Sequence, residues 1–208
     1  TPQYLMQFWI SLGICVAICA GQVFLSILGG YAFSRFRFRF RDGIFFGVIV
    51  LMVLPHQVTL APSYMVIRAL GLLNTNAALI LPGIFSAFGL FLMRQVMASV
   101  PESIMEAASL DGANTFVALW RVMVPCCASG VGALVLLSFV DAWSMIEQPI
   151  MFLTDTFRQP LSVFLLRVGR ENLALGFACS VLFMIPIAFL LLLFKEQLVE
   201  GIVRSEIK

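Results

Sequence analysis

Residues 173–194 read LALGFACSVLFMIPIAFLLLLF, 22 residues without a charged side chain. A helix rises about 1.5 Å per residue and a bilayer's hydrocarbon core is roughly 30 Å thick, so about 20 apolar residues cross it. Four more runs share this character: Phe8 to Phe33, Ile44 to Ile67, Ala77 to Met93 and Val122 to Val140, of 26, 24, 17 and 19 residues. Together the five take up more than half of the 208 residues. No soluble domain has an interior large enough to hide five helices that are apolar all round. Composition agrees, with 61% hydrophobic and 12% charged residues and a mean hydropathy of +1.02. The charged share is half of the roughly 25% usual in soluble domains. A disordered chain, a disulfide scaffold and a water-soluble enzyme are excluded; the fold expected is an all-α, polytopic transmembrane bundle.

The loops set an orientation, because lysine and arginine concentrate on the cytoplasmic side of a membrane protein. If the link from Ser34 to Gly43 is inside, that side holds Arg35, Arg37, Arg39, Arg41, Arg94, Arg121, Lys195, Arg204 and Lys208, against Arg68, Arg158, Arg167 and Arg170 outside. An outside N-terminus and a cytoplasmic C-terminus follow. The chain starts at Thr1 with no basic stretch ahead of its first apolar run, so a sixth span is expected upstream.

Arg35, Arg37, Arg39 and Arg41 alternate with Phe36, Phe38 and Phe40. Such a run could stack on single-stranded nucleic acid, but the net charge of +2 is too small for a nucleic-acid field. The preferred reading is an interfacial link, with arginines reaching lipid headgroups and phenylalanines at the acyl boundary. No nucleic acid is expected as a partner. Cys15, Cys19, Cys126, Cys127 and Cys179 lie in or beside apolar runs with no carboxylate or histidine set to complete a metal site, so they read as structural thiols.

Residues 94–121, RQVMASVPESIMEAASLDGANTFVALWR, interrupt the runs on the predicted cytoplasmic side. Ser99 and Glu102 fit a capping box, with Pro101 in the first turn. Ile104, Met105, Ala108 and Leu110 give an apolar stripe, and Gly112 can take the left-handed conformation that ends a helix. Asn114 or Thr115 can cap a second helix leading into the fourth run. Glu106-Ala107-Ala108 then sits mid-helix as a small-residue, acidic knob fit for docking, or as part of a helix lying on the membrane.

The spacing Glu106-Ala107-Ala108, three residues, Gly112, nine residues, Val122-Met123-Val124-Pro125 resembles the EAA loop of membrane subunits of binding-protein-dependent ABC importers. YAFSRFRFRFRD, LGLLNTNAALILP, FGLFLMRQ, VPESIMEAASLDGA and DAWSMIEQPIMFLTD stand in the matching order, and the set is most similar to maltose-type carbohydrate permeases over essentially the whole chain. The resemblance implies one permease domain over residues 1–208, incomplete at its N-terminus, in a bacterial-type inner membrane. It implies a coupling helix carrying Glu106, Ala107, Ala108, Asp111 and Gly112, with Pro125 downstream, seated on a cytoplasmic ATPase dimer. It also implies a second permease, a heterodimer being favoured, and an extracytoplasmic binding protein that delivers a sugar or oligosaccharide; a non-sugar solute is the alternative. Ser144 stands where the family usually has asparagine, and Glu147 adds an unexpected charge.

No G-x-x-x-x-G-K sequence is present, and the only lysines are Lys195 and Lys208, so ATP and its magnesium belong to another polypeptide and this chain carries no cofactor or metal of its own. Polar residues in or beside the runs are the candidates for the solute path, because polar groups facing lipid are costly. They are His56, Gln57, Ser63 and Tyr64, around Pro55 and Pro62, which should break the second helix, together with Asp141 and Trp143. For His56 itself the preferred reading is a hydrogen bond to a neighbouring helix. An ion-coupled transporter would need acids inside the runs, which hold none; an intramembrane enzyme would need a catalytic pair, and His56 and Ser63 lie two helical turns apart.

Overall fold

The computed structural model describes residues 2–206, and these are helical with no strand among them. Helix α1 runs Pro2–Arg35, α2 Arg41–Val53, α3 His56–Ala69, α4 Ala77–Gly83, α5 Ala87–Ala98 and α6 Glu102–Leu110. A continuous segment follows: α7 Thr115–Ala118, a π-helical turn Leu119–Met123 and α8 Val124–Cys126. Then come α9 Ala128–Trp143, α10 Glu147–Phe152, α11 Leu161–Glu171 and α12 Leu173–Glu206.

Three helical segments are long and apolar enough to cross a membrane: Tyr4–Arg35, Ala77–Ala98, which joins α4 and α5, and Leu173–Lys195. The other two apolar runs are not straight. Arg41–Val53 and His56–Ala69 meet at 103°, and Thr115–Cys126 and Ala128–Trp143 meet at 82°. The first bend falls at Leu54-Pro55, since a residue ahead of proline is pushed out of the helical region. Pro62 was expected to break the helix as well, yet it lies inside α3. At the second bend Pro125 brings no N–H, the preceding turn is π-helical, and the chain turns at Cys127, whose φ is −103°.

The chain divides into two units. One comprises Thr1–Gly21, Leu54–Phe85 and Leu137–Leu193; its core holds Ile14, Cys15 and Ile18 of α1, Leu79 of α4, Trp143 of α9, and Phe152, Leu153 and Leu161. The other comprises Gln22–Val53, Ser86–Leu136 and Phe194–Lys208, around a cluster of Ile27, Tyr31, Met93, Met97, Val100, Leu119, Met123, Cys127 and Leu134. In this second unit α1 and α5 approach at Gly30, where a β-carbon would stand 2.8 Å from the carbonyl carbon of Met93 and 2.9 Å from the nitrogen of Arg94. Only glycine lets two backbones come so near. Arg94 lies over the ring of Phe45, 4.2 Å from its centroid, and Phe45 stacks on Phe91.

Candidate functional site: an outward-facing helix and a polar cluster

The EAA segment lies in the second unit and forms α6 with its following turn. The helix starts differently from expectation. Its N-cap is Pro101, with no side-chain cap, and Ser99 Oγ instead donates to the Val96 carbonyl at 2.8 Å, so no capping box forms. Ser99 still belongs to the end of α5, two residues too early to reach the first free amides of α6. The definition comes from the other end. Ala113 N–H donates to the Ala108 carbonyl at 3.0 Å and Gly112 N–H to Ser109 at 3.1 Å, with Gly112 at φ +82°. This is the Schellman pairing, and it needs the left-handed conformation that glycine adopts at little steric cost. Of the two expected caps, Asn114 or Thr115, it is Asn114 that caps α7, its Oδ1 accepting from Val117 N–H at 2.8 Å.

The expected apolar stripe divides between two faces. Met105 and Ala108 turn inward, Met105 onto the second unit's core and Ala108 to 8% exposure, and α6 packs on the π-helical turn. Ile104 and Leu110 point away, Leu110 at 89% exposure. Glu106 and Leu110 share the outward side at i, i+4, with Ala107 beside them, all three exposed. Of the two alanines only Ala107 is therefore open to a partner; Ala108 is the small residue that seats α6 on its own chain. Asp111 and Gly112 are exposed at the turn. Pro125 follows the π-helical turn in α8, short of the 82° bend.

The path candidates lie in the first unit and only some of them meet. The break at Pro55 starts α3 with His56 and Gln57, and α10 packs against α3. Gln148 Nε2 lies 2.9 Å from His56 Nε2, and Gln57 Nε2 donates to Glu147 Oε1 at 3.2 Å. His56, Gln57 and Glu147 are exposed, Gln148 half-buried. Where α10 ends, Asn74, at φ +62°, accepts through Oδ1 from Thr154 N–H at 2.6 Å and Thr154 Oγ1 at 2.7 Å, while its carbonyl accepts from Arg158 at 2.9 Å. Tyr64 sets its ring 6.4 Å from that of Phe152; Ser63 is half-buried on α3, and Asp141 is exposed on α9 outside the cluster's bonds.

Trp143 lies apart from the cluster's bonds. It is 1% exposed, stacked between Phe139 and Phe183 with Phe8 at its edge, and its indole N–H donates to the Phe183 carbonyl at 3.1 Å. Both ring faces are covered, so in this arrangement it packs as a core residue. Glu147 and Gln148, by contrast, were not chosen as partners of His56, because about ninety residues separate them and no local pattern announces the contact.

Residues 22–204 match the family described as binding-protein-dependent transport system inner membrane component. The chain belongs to that family. It is similar to the sn-glycerol-3-phosphate transport system permease protein UgpE of Agrobacterium fabrum (strain C58), 30% identical over 201 residues, covering 94% of this chain and 71% of that protein. The arabinooligosaccharides transport system permease protein AraQ of Halalkalibacterium halodurans is 26% identical over 208 residues, covering 99% and 75%. Among solved structures, a bacterial ABC transporter involved in the import of the acidic polysaccharide alginate shares the fold at TM-score 0.83 and 22% identity, over 94% of this chain and 75% of that one.

As a binding-protein-dependent permease the chain is a multi-pass inner-membrane subunit of an ABC importer and is not itself the ATPase, which is a separate subunit. An EAA motif and a coupling helix are typical of such permeases.

Proposed function

We propose that α6 is the coupling helix of this permease and that its outward side, Glu106, Ala107 and Leu110, sits in the cytoplasmic ATPase, with Asp111 and Gly112 shaping the turn behind it. The single observation that carries this is the division of α6 into two faces: Met105 and Ala108 buried in the chain's own core, Leu110 at 89% exposure. A large apolar side chain held so far out on a loop that is fixed at its base marks a docking surface. ATP with its magnesium binds to the ATPase pair, whose closure displaces α6 as a rigid body and re-angles the spans. This chain needs no cofactor. One coupling helix per permease and two ATPase sites call for a second permease, a different chain being favoured.

Nine of the thirteen lysines and arginines lie in residues 34–43, 94–121 and 195–208, and four in the remaining links. That asymmetry supports cytoplasmic placement of the α6 loop and of the C-terminus.

For the solute we favour a neutral sugar or oligosaccharide. His56, Gln57, Glu147 and Gln148 offer donors and acceptors to hydroxyl groups at exposed positions. The Glu147 carboxylate is ill suited to a phosphorylated cargo such as the one named for the UgpE relatives.

A gentle-detergent pull-down of the full-length protein from its native membrane, with mass spectrometry, tests these assignments. An ATPase and a second permease should accompany the wild type, the ATPase should be lost from Glu106→Lys, and a co-purified binding protein should release a neutral carbohydrate. Equal ATPase recovery from both would remove α6 from the contact, and a phosphorylated compound would overturn the sugar assignment.

A further inference from the structure

The four arginines at 35, 37, 39 and 41 look equivalent in the sequence and are not equivalent in the structure. Arg41 pairs with Asp42 at 3.0 Å, and Arg39 lies over the Phe40 ring, 4.9 Å from its centroid. Arg37 is exposed. Arg35 closes α1 and turns inward: its Nη2 donates to the carbonyls of Met97 at 2.9 Å and Val100 at 2.5 Å. Both carbonyls belong to the corner between α5 and α6.

The reason for that contact lies in the backbone. In a continuing helix the Met97 carbonyl would accept from the N–H of residue 101, but residue 101 is proline and has none. Val100 N–H approaches the same carbonyl only at 3.4 Å. The corner is thus a helix C-terminus short of donors, carrying partial negative charge. A guanidinium supplies what the proline removed, and as a rigid planar group it fixes direction as well as distance. The contacts beneath, Tyr31, Met97 and Val100, are apolar and do not fix direction.

We propose that Arg35 is a positioning residue of the transport cycle: it ties the end of α1 to the α5–α6 corner, so that a displacement of α6 reaches α1 directly as well as through α5. The proposal rests on α6 being the coupling helix. Arg35→Gln and Arg35→Lys, with Arg37→Gln as the matched loss of charge in the same run, are compared with wild type in the assembled transporter in lipid nanodiscs. ATP hydrolysis is recorded together with amide exchange over residues 22–35 and 102–110, without nucleotide and with ATP and vanadate.

In the wild type, ATP and vanadate should change exchange over residues 22–35. Arg35→Gln should lose that change while still hydrolysing ATP, and its α6 amides should exchange at least about tenfold faster, since both charge-assisted hydrogen bonds of Arg35 are lost. Arg35→Lys should recover part of both effects and Arg37→Gln should alter neither. A nucleotide response over residues 22–35 that survives in Arg35→Gln, or is absent from the wild type, overturns the proposal. If Arg35→Gln does not accumulate, Arg35→Lys decides: a weakened response supports the tie and a wild-type response overturns it. If no ATPase accompanies the wild type, the coupling role of α6 fails instead, and exchange over residues 102–110 without nucleotide still tests the tie, faster exchange supporting it and unchanged exchange refuting it.

Discussion

The α6 loop and the polar cluster between α3 and α10 are built on opposite plans. The loop is seated on buried apolar side chains and closed by backbone hydrogen bonds at Gly112, so only Glu106, Ala107, Leu110 and their neighbours are left free. The cluster joins mainly exposed side chains through amide, imidazole and carboxylate groups. A backbone-closed element on a packed core moves as one piece, which suits transmission of a stroke. Exposed side-chain pairs exchange for water at little cost, which suits contacts that are made and released as a solute passes.

The largest effect that would sharpen this contrast is at Gly30. Gly30→Leu places atoms where the Met93 and Arg94 backbone already lies, so the base of the loop should not form. The variant is expected to be absent from the membrane fraction by immunoblot, whereas Gly13→Leu, with open space at its β-carbon, should accumulate normally. Next is Trp143→Ala, which empties a buried site and should cost about 3–5 kcal/mol, read as a lower melting temperature in detergent. Because both ring faces are covered, the conservative Trp143→Phe should leave the apparent affinity for the carbohydrate unchanged; a large rise in KM at normal stability would put Trp143 on the solute path.

Gly112→Ala forces a β-carbon into the left-handed region at φ +82° and should destabilise the turn by about 1–2 kcal/mol, seen as faster amide exchange over residues 108–113. The smallest effect is expected at Ser99. With no capping box, Ser99→Ala should shift stability by less than about 0.5 kcal/mol, and a loss near the roughly 1 kcal/mol of a true N-cap would restore the box.

What the sequence made legible follows from the range of each interaction. The apolar runs, the left-handed Gly112 and the cap of α7 depend on neighbours a few residues away; the first two could be read directly and the cap to within one residue, Asn114 or Thr115. The break at Pro55 was equally local, whereas Pro62 was tolerated within α3 and its missing N–H did not stop the helix. The Ser99 cap failed because α5 extends as far as Ala98 and claims Ser99 for its own end. The pairing of His56 with Gln148 and the inward turn of Arg35 join residues about ninety and about sixty positions apart, and alternating arginines give no sign of which one is withdrawn from the surface. The burial of Trp143 was hidden for a related reason: its covering rings come from α1, α9 and α12.

The central claim is that α6 meets the ATPase with one face only. Cysteine placed singly at Ala107 or Ala108, with the exposed Cys126 replaced by serine, can be treated with a short bifunctional thiol reagent in native membranes and scored by mass spectrometry for a cross-linked ATPase. The account expects Ala107→Cys to capture the ATPase and Ala108→Cys, at a position buried against its own chain, to capture none. Capture from both positions alike, or from Ala108→Cys alone, would contradict it.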